Sequence, residues 1–181
     1  MIISPDALPR MSAEEYFAYE RSQLIRHELV DGYLYAMTGA SDRHEEIALN
    51  LAAALQGHLR GSLCRVYKGD LKIRVSDDFY YPDVFVRCNK DRGDPYFKTD
   101  PVMVAEVLSP GTQRYDRGDK RLAYFSLPTL QKYLLISQDR IQVDVYRRNN
   151  VLECSENLQT AGDVLRLESV DFAITLSELY E

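Results

Sequence analysis

The segment Pro101-Val-Met-Val-Ala-Glu-Val-Leu-Ser-Pro110 sets the strongest constraint on how this chain folds. It is a short apolar run closed at both ends by proline, the pattern of a strand buried on both faces of a sheet. One carboxylate, Glu106, sits inside it, and an ionised carboxylate in such a place is costly unless it is paired or bound to a metal. A parallel case precedes it in Tyr80-Tyr-Pro-Asp-Val-Phe-Val86, where Asp83 opens an apolar strand just after Pro82. Only one loop separates the two strands, so the natural arrangement lays them side by side and brings two acids together.

The bulk properties narrow what such a pair can serve. With 181 residues and 45% hydrophobic content, the chain is expected to form one domain spanning 1–181, with 1–10 as a loose arm. The formal net charge of −6 speaks against nucleic-acid binding through bulk charge, while leaving room for a local basic groove. Cys64, Cys88 and Cys154 lack zinc-ligand spacing and are expected to be reduced, partly buried thiols. No apolar run reaches the roughly 20 residues of a membrane span, and the start lacks signal-peptide form. A cytoplasmic location is expected.

Element signals run in a mixed order. Ser12-Ala-Glu-Glu15 has capping-box form and predicts a short helix toward Arg21. Asp31-Gly32 between two apolar-rich runs predicts a hairpin that carries Glu28 on its first strand. Ile47, Leu51, Leu55 and Leu59 recur at helical spacing, so a helix is expected over about 42 to 60, with His44 in its first turn. Strand-like alternation covers 64–75, and a polar loop is expected from 89 to 99. A helix ends before Pro128 and sets Lys120 and Tyr124 one turn apart. Strands follow at 131–136, at 141–147 with 151–154, and at 164–167, and a closing helical turn is expected at 177–180. The fold class is α/β or α+β: a mixed central sheet flanked by helices, with an added N-terminal helix and hairpin.

Two carboxylates converging at a sheet's end are a usual way to hold Mg²⁺, which takes oxygen ligands and keeps waters. Such a metal polarises a phosphoryl oxygen and acidifies a bound water, and a nearby lysine offsets the negative charge that develops. Each acid taken alone also has a plain structural reading, as a backbone hydrogen-bond acceptor or an ion-pair partner.

Glu28-Leu-Val-Asp-Gly, His44 at a helix start, Tyr81-Pro-Asp-Val, Glu106-Val-Leu-Ser-Pro-Gly-Thr112 and the Asp116/Lys120/Tyr124 run occur in this order. Over about residues 10 to 140 the chain thus resembles the Uma family, a bacterial group linked to endonuclease activity and the restriction-endonuclease-like fold. The resemblance implies a PD-(D/E)xK core with Asp83 and Glu106 as metal ligands, Mg²⁺ or Mn²⁺ as the cofactor, DNA as substrate and a homodimer as assembly. One departure matters, because the motif's lysine belongs two residues after the second acid and that position is Leu108. Lys120 is the expected replacement, with Lys72 as the second choice. Glu28 is expected to contribute a third acid, as metal ligand or ion-pair partner. His44 is expected to orient an acid or serve as general base.

Arg114, Arg117, Lys120 and Arg121 form the densest basic cluster, and with Lys72 they are the expected contacts to a phosphate backbone. The leading expectation is a metal-dependent endonuclease. The alternative is a non-catalytic nucleic-acid-binding or protein-interaction module on the same fold.

Overall fold

A computed structural model describes residues 10–111, 113–150 and 152–181; the expected N-terminal arm lies, apart from Arg10, outside them. Helix α1 (Ala13–Glu20) starts at a complete capping box between Ser12 and Glu15. Strands β1 (His27–Val30) and β2 (Tyr33–Ala36) form the expected hairpin. Its two turn residues have positive φ, Asp31 at 51° and Gly32 at 82°, as a tight hairpin of this twist requires. A Cβ on Gly32 would stand 3.0 Å from the Cβ of Arg10, so the position also needs glycine for space. Helix α2 (Asp42–His58) begins at Ser41, whose side chain accepts the backbone N–H of His44.

The run 64–75 is not one strand. It divides into β3 (Cys64–Lys68) and β4 (Lys72–Val75) at Gly69, which has a φ of 74°, and the two halves enter different sheets. The run 80–86 divides as well. β5 (Asp78–Tyr80) ends before Pro82, which has no N–H to give to a ladder, and β6 (Val84–Cys88) begins after Asp83. The expected loop 89–99 holds a two-residue strand, β7 (Phe97–Lys98). β8 (Pro101–Leu108) fills the whole apolar run between its prolines. Two helices follow in place of one, α3 (Gln113–Arg117) and α4 (Asp119–Ser126), broken at Gly118. β9 (Lys132–Ser137) and β10 (Val143–Arg147) come next. The partner of β10 is β11 (Glu156–Leu158) and not the expected 151–154, of which residue 151 lies outside the description. β12 (Val164–Leu167) pairs with a strand the pattern did not reveal, β13 (Phe172–Thr175), before α5 (Leu176–Leu179) closes the chain.

The larger sheet has six strands in the order β11-β10-β9-β8-β6-β3, with β8 and β9 parallel and the remaining pairs antiparallel. A five-stranded sheet, β2-β1-β5-β4-β7, lies beside it. Strand parity sorts β8 between two layers. Met103, Ala105 and Val107 face Ile47, Leu51 and Leu55 of α2. Val104 and Leu108 join Tyr124 and Phe125 of α4 in the other layer, and Glu106 shares their side of the strand. The mixed architecture agrees with the expected fold class.

The cysteine expectation is corrected. Cys64 and Cys88 stand opposite each other in the β3–β6 register and form a disulfide, leaving Cys154 as the free thiol. Antiparallel pairing of β3 with β6 put together two cysteines with a sequence separation of 24, a relationship invisible in spacing alone. Among the described residues no helix is long and apolar enough to cross a membrane.

Candidate active site

β6 and β8 pair antiparallel with Val84 opposite Ala105, which brings Asp83 beside Glu106. The backbone of each acid's segment binds the other's side chain. Asp83 Oδ2 accepts the N–H of Val107 at 2.7 Å, and Glu106 Oε2 accepts the N–H of Asp83 at 3.3 Å. Each bond lends the receiving carboxylate a donor at a strand end where ladder pairing alone would not supply one.

Lys120 reaches the pair from α4. Its Nζ lies 3.0 Å from Glu106 Oε1, 3.0 Å from Glu28 Oε1 and 3.8 Å from Asp116 Oδ1. One turn later on the same helix face, Tyr124 donates to Glu106 Oε1 at 3.2 Å. Glu28 arrives from the hairpin, and its Oε1 also accepts the N–H of Tyr81 at 2.9 Å. His44, in the first turn of α2, approaches from the opposite layer with Nε2 3.2 Å from Asp83 Oδ2. The structure therefore brings Asp83, Glu106, Lys120, Glu28 and His44 together. The side chain of Asp83 is 22% exposed against 5% for Glu106 and 7% for Lys120, so the cluster opens to solvent on the Asp83 side.

Charge in this cluster is unbalanced. Burial pushes the Glu106 carboxyl well above the ordinary carboxylate range; Lys120 opposes the shift, while Asp83, Asp116 and Glu28 add to it. Lys120 itself is held well above the ordinary lysine value, because Glu106 and Glu28 outweigh its loss of water. Burial lowers His44, but its hydrogen bond and attraction to Asp83 more than offset this, and its net shift is upward. The lysine proton is secure, and the unmet charge is negative.

Hard oxygen donors in negative excess suit a divalent cation such as Mg²⁺, which takes one or two carboxylates and completes its shell with water. Asp83 and Glu106 are the candidates for that limited role, Asp83 being the more exposed, while Glu106 already accepts from Lys120, Tyr124 and the Asp83 N–H. Glu28 is engaged by Lys120 and the Tyr81 N–H, and among the described residues no group of three or more His, Cys, Asp or Glu side chains is set to hold a metal.

The expected phosphate contacts do not form one cluster. Arg114 is exposed at the start of the helical segment. Arg117 is engaged by Asp144, and the Arg121 guanidinium lies over the Tyr146 ring at 4.5 Å. Lys72 is not brought to the acids. It is buried and donates to the Tyr81 hydroxyl at 3.0 Å. Leu108, at the motif's lysine position, packs in the apolar layer around Tyr124. Sequence reasoning overlooked the part of Tyr81, whose signal was its place before Pro82.

The family model of Uma2, described as "Putative restriction endonuclease", matches residues 13–177. "Uncharacterized protein slr1290" of Synechocystis sp. (strain ATCC 27184 / PCC 6803 / Kazusa) is 38% identical over 181 residues, covering 98% of this chain and 95% of that protein. "Uncharacterized protein sll1609" of the same organism is 28% identical over 143 residues, 76% of this chain and 81% of that one. A solved structure titled "a putative nuclease belonging to DUF820 from Anabaena variabilis ATCC 29413" superposes with a TM-score of 0.78 over 94% of this chain and 97% of that chain. At 17% identity, that likeness is one of fold.

Proposed function

This chain belongs to the Uma2 family, and on that premise we propose that it is a divalent-metal-dependent endonuclease that hydrolyses phosphodiester bonds of DNA. The observation that carries the reading is the convergence of Asp83, immediately before β6, and Glu106, on the paired strand β8, with the Lys120 ammonium 3.0 Å from Glu106.

In this reading Asp83 and Glu106 hold Mg²⁺ or Mn²⁺. When bound, such an ion would supply Lewis acidity toward a phosphoryl oxygen and lower the pKa of a water it holds. The chain's own groups do the rest. Lys120 takes the place that Leu108 leaves empty of charge and offsets the negative charge developing on the phosphoryl oxygens. Glu28 and Asp116 hold the lysine ammonium in place so that no reorganisation is needed during reaction. Tyr124 fixes the Glu106 oxygen that faces the lysine. His44, joined to Asp83 through Nε2, holds or releases a proton on the open side of the cluster. Arg114 contributes a phosphate contact that weakens as salt is added.

Nicking of supercoiled plasmid in Mg²⁺ or Mn²⁺ tests the proposal. Wild type is expected to nick and to stop when the metal is chelated. Asp83→Asn and Lys120→Met are each expected to lose about 100-fold or more, the usual scale for removing transition-state charge stabilisation. A non-catalytic module on the same fold, the reading that Leu108 favours, predicts no nicking in any of them.

A further inference from the structure

A second buried charged group lies between α1 and the five-stranded sheet, outside the proposed chemistry. Glu20, His27 and Lys72 are 4%, 7% and 8% exposed. Glu20 Oε1 accepts the backbone N–H of His27 at 2.9 Å and the Tyr81 hydroxyl at 3.1 Å, and its Oε2 faces His27 Nδ1 at 3.1 Å. Lys72 donates to the same hydroxyl at 3.0 Å from a site 5.0, 5.5 and 6.0 Å from the ring centroids of Tyr81, Phe17 and Tyr16. The Tyr81 hydroxyl is thus used twice, accepting from Lys72 and donating to Glu20.

Tyr81 also belongs to the first cluster. Its N–H is bound by Glu28 Oε1, the oxygen that meets Lys120. Two residues on, across Pro82, is Asp83. Proline fixes its own φ and confines the residue before it to extended conformations. With so few free torsions, the orientation of the Tyr81 ring and backbone carries directly to Asp83. Packing alone does not call for charges at Glu20 and Lys72, since apolar residues of similar volume fill such a space at no greater cost. What the charges add is direction, because two oriented hydrogen bonds fix a phenol that apolar contact would leave free to shift.

We propose that Tyr81, anchored by Glu20 and Lys72, is a positioning residue that holds the Tyr81–Asp83 segment so that Asp83 and Glu28 meet their partners in the active site. The inference rests on the reading of Asp83 and Glu106 as a divalent-cation site, and it makes Lys72 a buried anchor in place of a phosphate contact.

Tyr81→Phe and Glu20→Gln in the full chain test it through two readouts. Without metal, amide hydrogen exchange at Tyr81 and Asp83 is expected to quicken about tenfold in both variants, as loss of one charge-assisted hydrogen bond implies, while β8 amides keep their wild-type rates. Mn²⁺ affinity, followed by the loss of the free ion's paramagnetic resonance signal, is expected to weaken about tenfold, with the thermal midpoint lowered only by the few degrees that loss of one such hydrogen bond implies. Unchanged exchange at both amides, or Mn²⁺ affinity equal to wild type, overturns the proposal. If wild type binds no Mn²⁺, the metal reading fails by itself and the exchange rates decide: quickening supports the positioning role and its absence overturns it. Should Tyr81→Phe not fold, Glu20→Gln carries the same two readouts with the tyrosine intact.

Discussion

The Nζ of Lys120 lies 3.0 Å from Glu106 Oε1, although Lys120 stands on a helix and the strand position that would offer a lysine holds Leu108. The ammonium beside Glu106 is thus supplied from α4 and not from β8. Leu108 packs in the same layer as Tyr124 and Phe125 of α4, the helix that carries Lys120.

Removing the lysine head takes the shared ammonium away from three buried carboxylates, Glu106, Glu28 and Asp116. Lys120→Met is therefore expected to destabilise the fold by about 3–5 kcal/mol, the usual penalty for breaking a buried pair from one side. Adding Glu106→Gln should return part of that loss, so that the double variant is more stable than the sum of the singles predicts. Urea unfolding of the four proteins measures the coupling. Strict additivity would mean that the two groups do not act as a pair.

His44 gives the pH prediction. Its folded-state pKa is raised above the unfolded value by Asp83, despite the opposing effect of burial. A histidine raised in this way contributes stability that is fully present below its unfolded value of about 6.5 and is lost as pH rises through the folded value. In metal-free buffer, wild type should exceed His44→Gln in unfolding free energy most at mildly acid pH, with the gap closing toward alkaline pH. A gap that widens as pH rises would contradict the pairing.

Much of the site was legible because it is local. The prolines flanking 101–110 delimited β8, Asp31-Gly32 placed the hairpin that delivers Glu28, and the spacing of Lys120 and Tyr124 put them on one helix face. What escaped depends on partners distant in sequence. The break at Gly69 sends β3 and β4 into different sheets, and alternation of side chains looks the same on either side of it. The burial of Lys72 follows from Tyr16, Phe17 and Tyr81 closing around it, which its own alternating strand, with polar neighbours at 70 and 74, gave no reason to expect. The arginines at 117 and 121 read as one basic patch in sequence, yet Asp144 and Tyr146 from β10 engage them separately.

The Cys64–Cys88 bond closes a loop with a sequence separation of 24, for which chain entropy assigns about 3 kcal/mol of stabilisation. Protein unfolded without reductant should show one reactive thiol, Cys154, and reduction should lower the urea midpoint. Three reactive thiols in oxidised preparations would show that the bond does not form in solution.

Mn²⁺ titration of wild type and an Asp83→Ala/Glu106→Ala variant tests the central claim most directly. Wild type should bind the ion and gain thermal stability that rises with the logarithm of ion concentration above the dissociation constant, whereas the double variant should show neither response. Equal binding and equal stabilisation of the two proteins would contradict the assignment of Asp83 and Glu106 as the metal-holding pair.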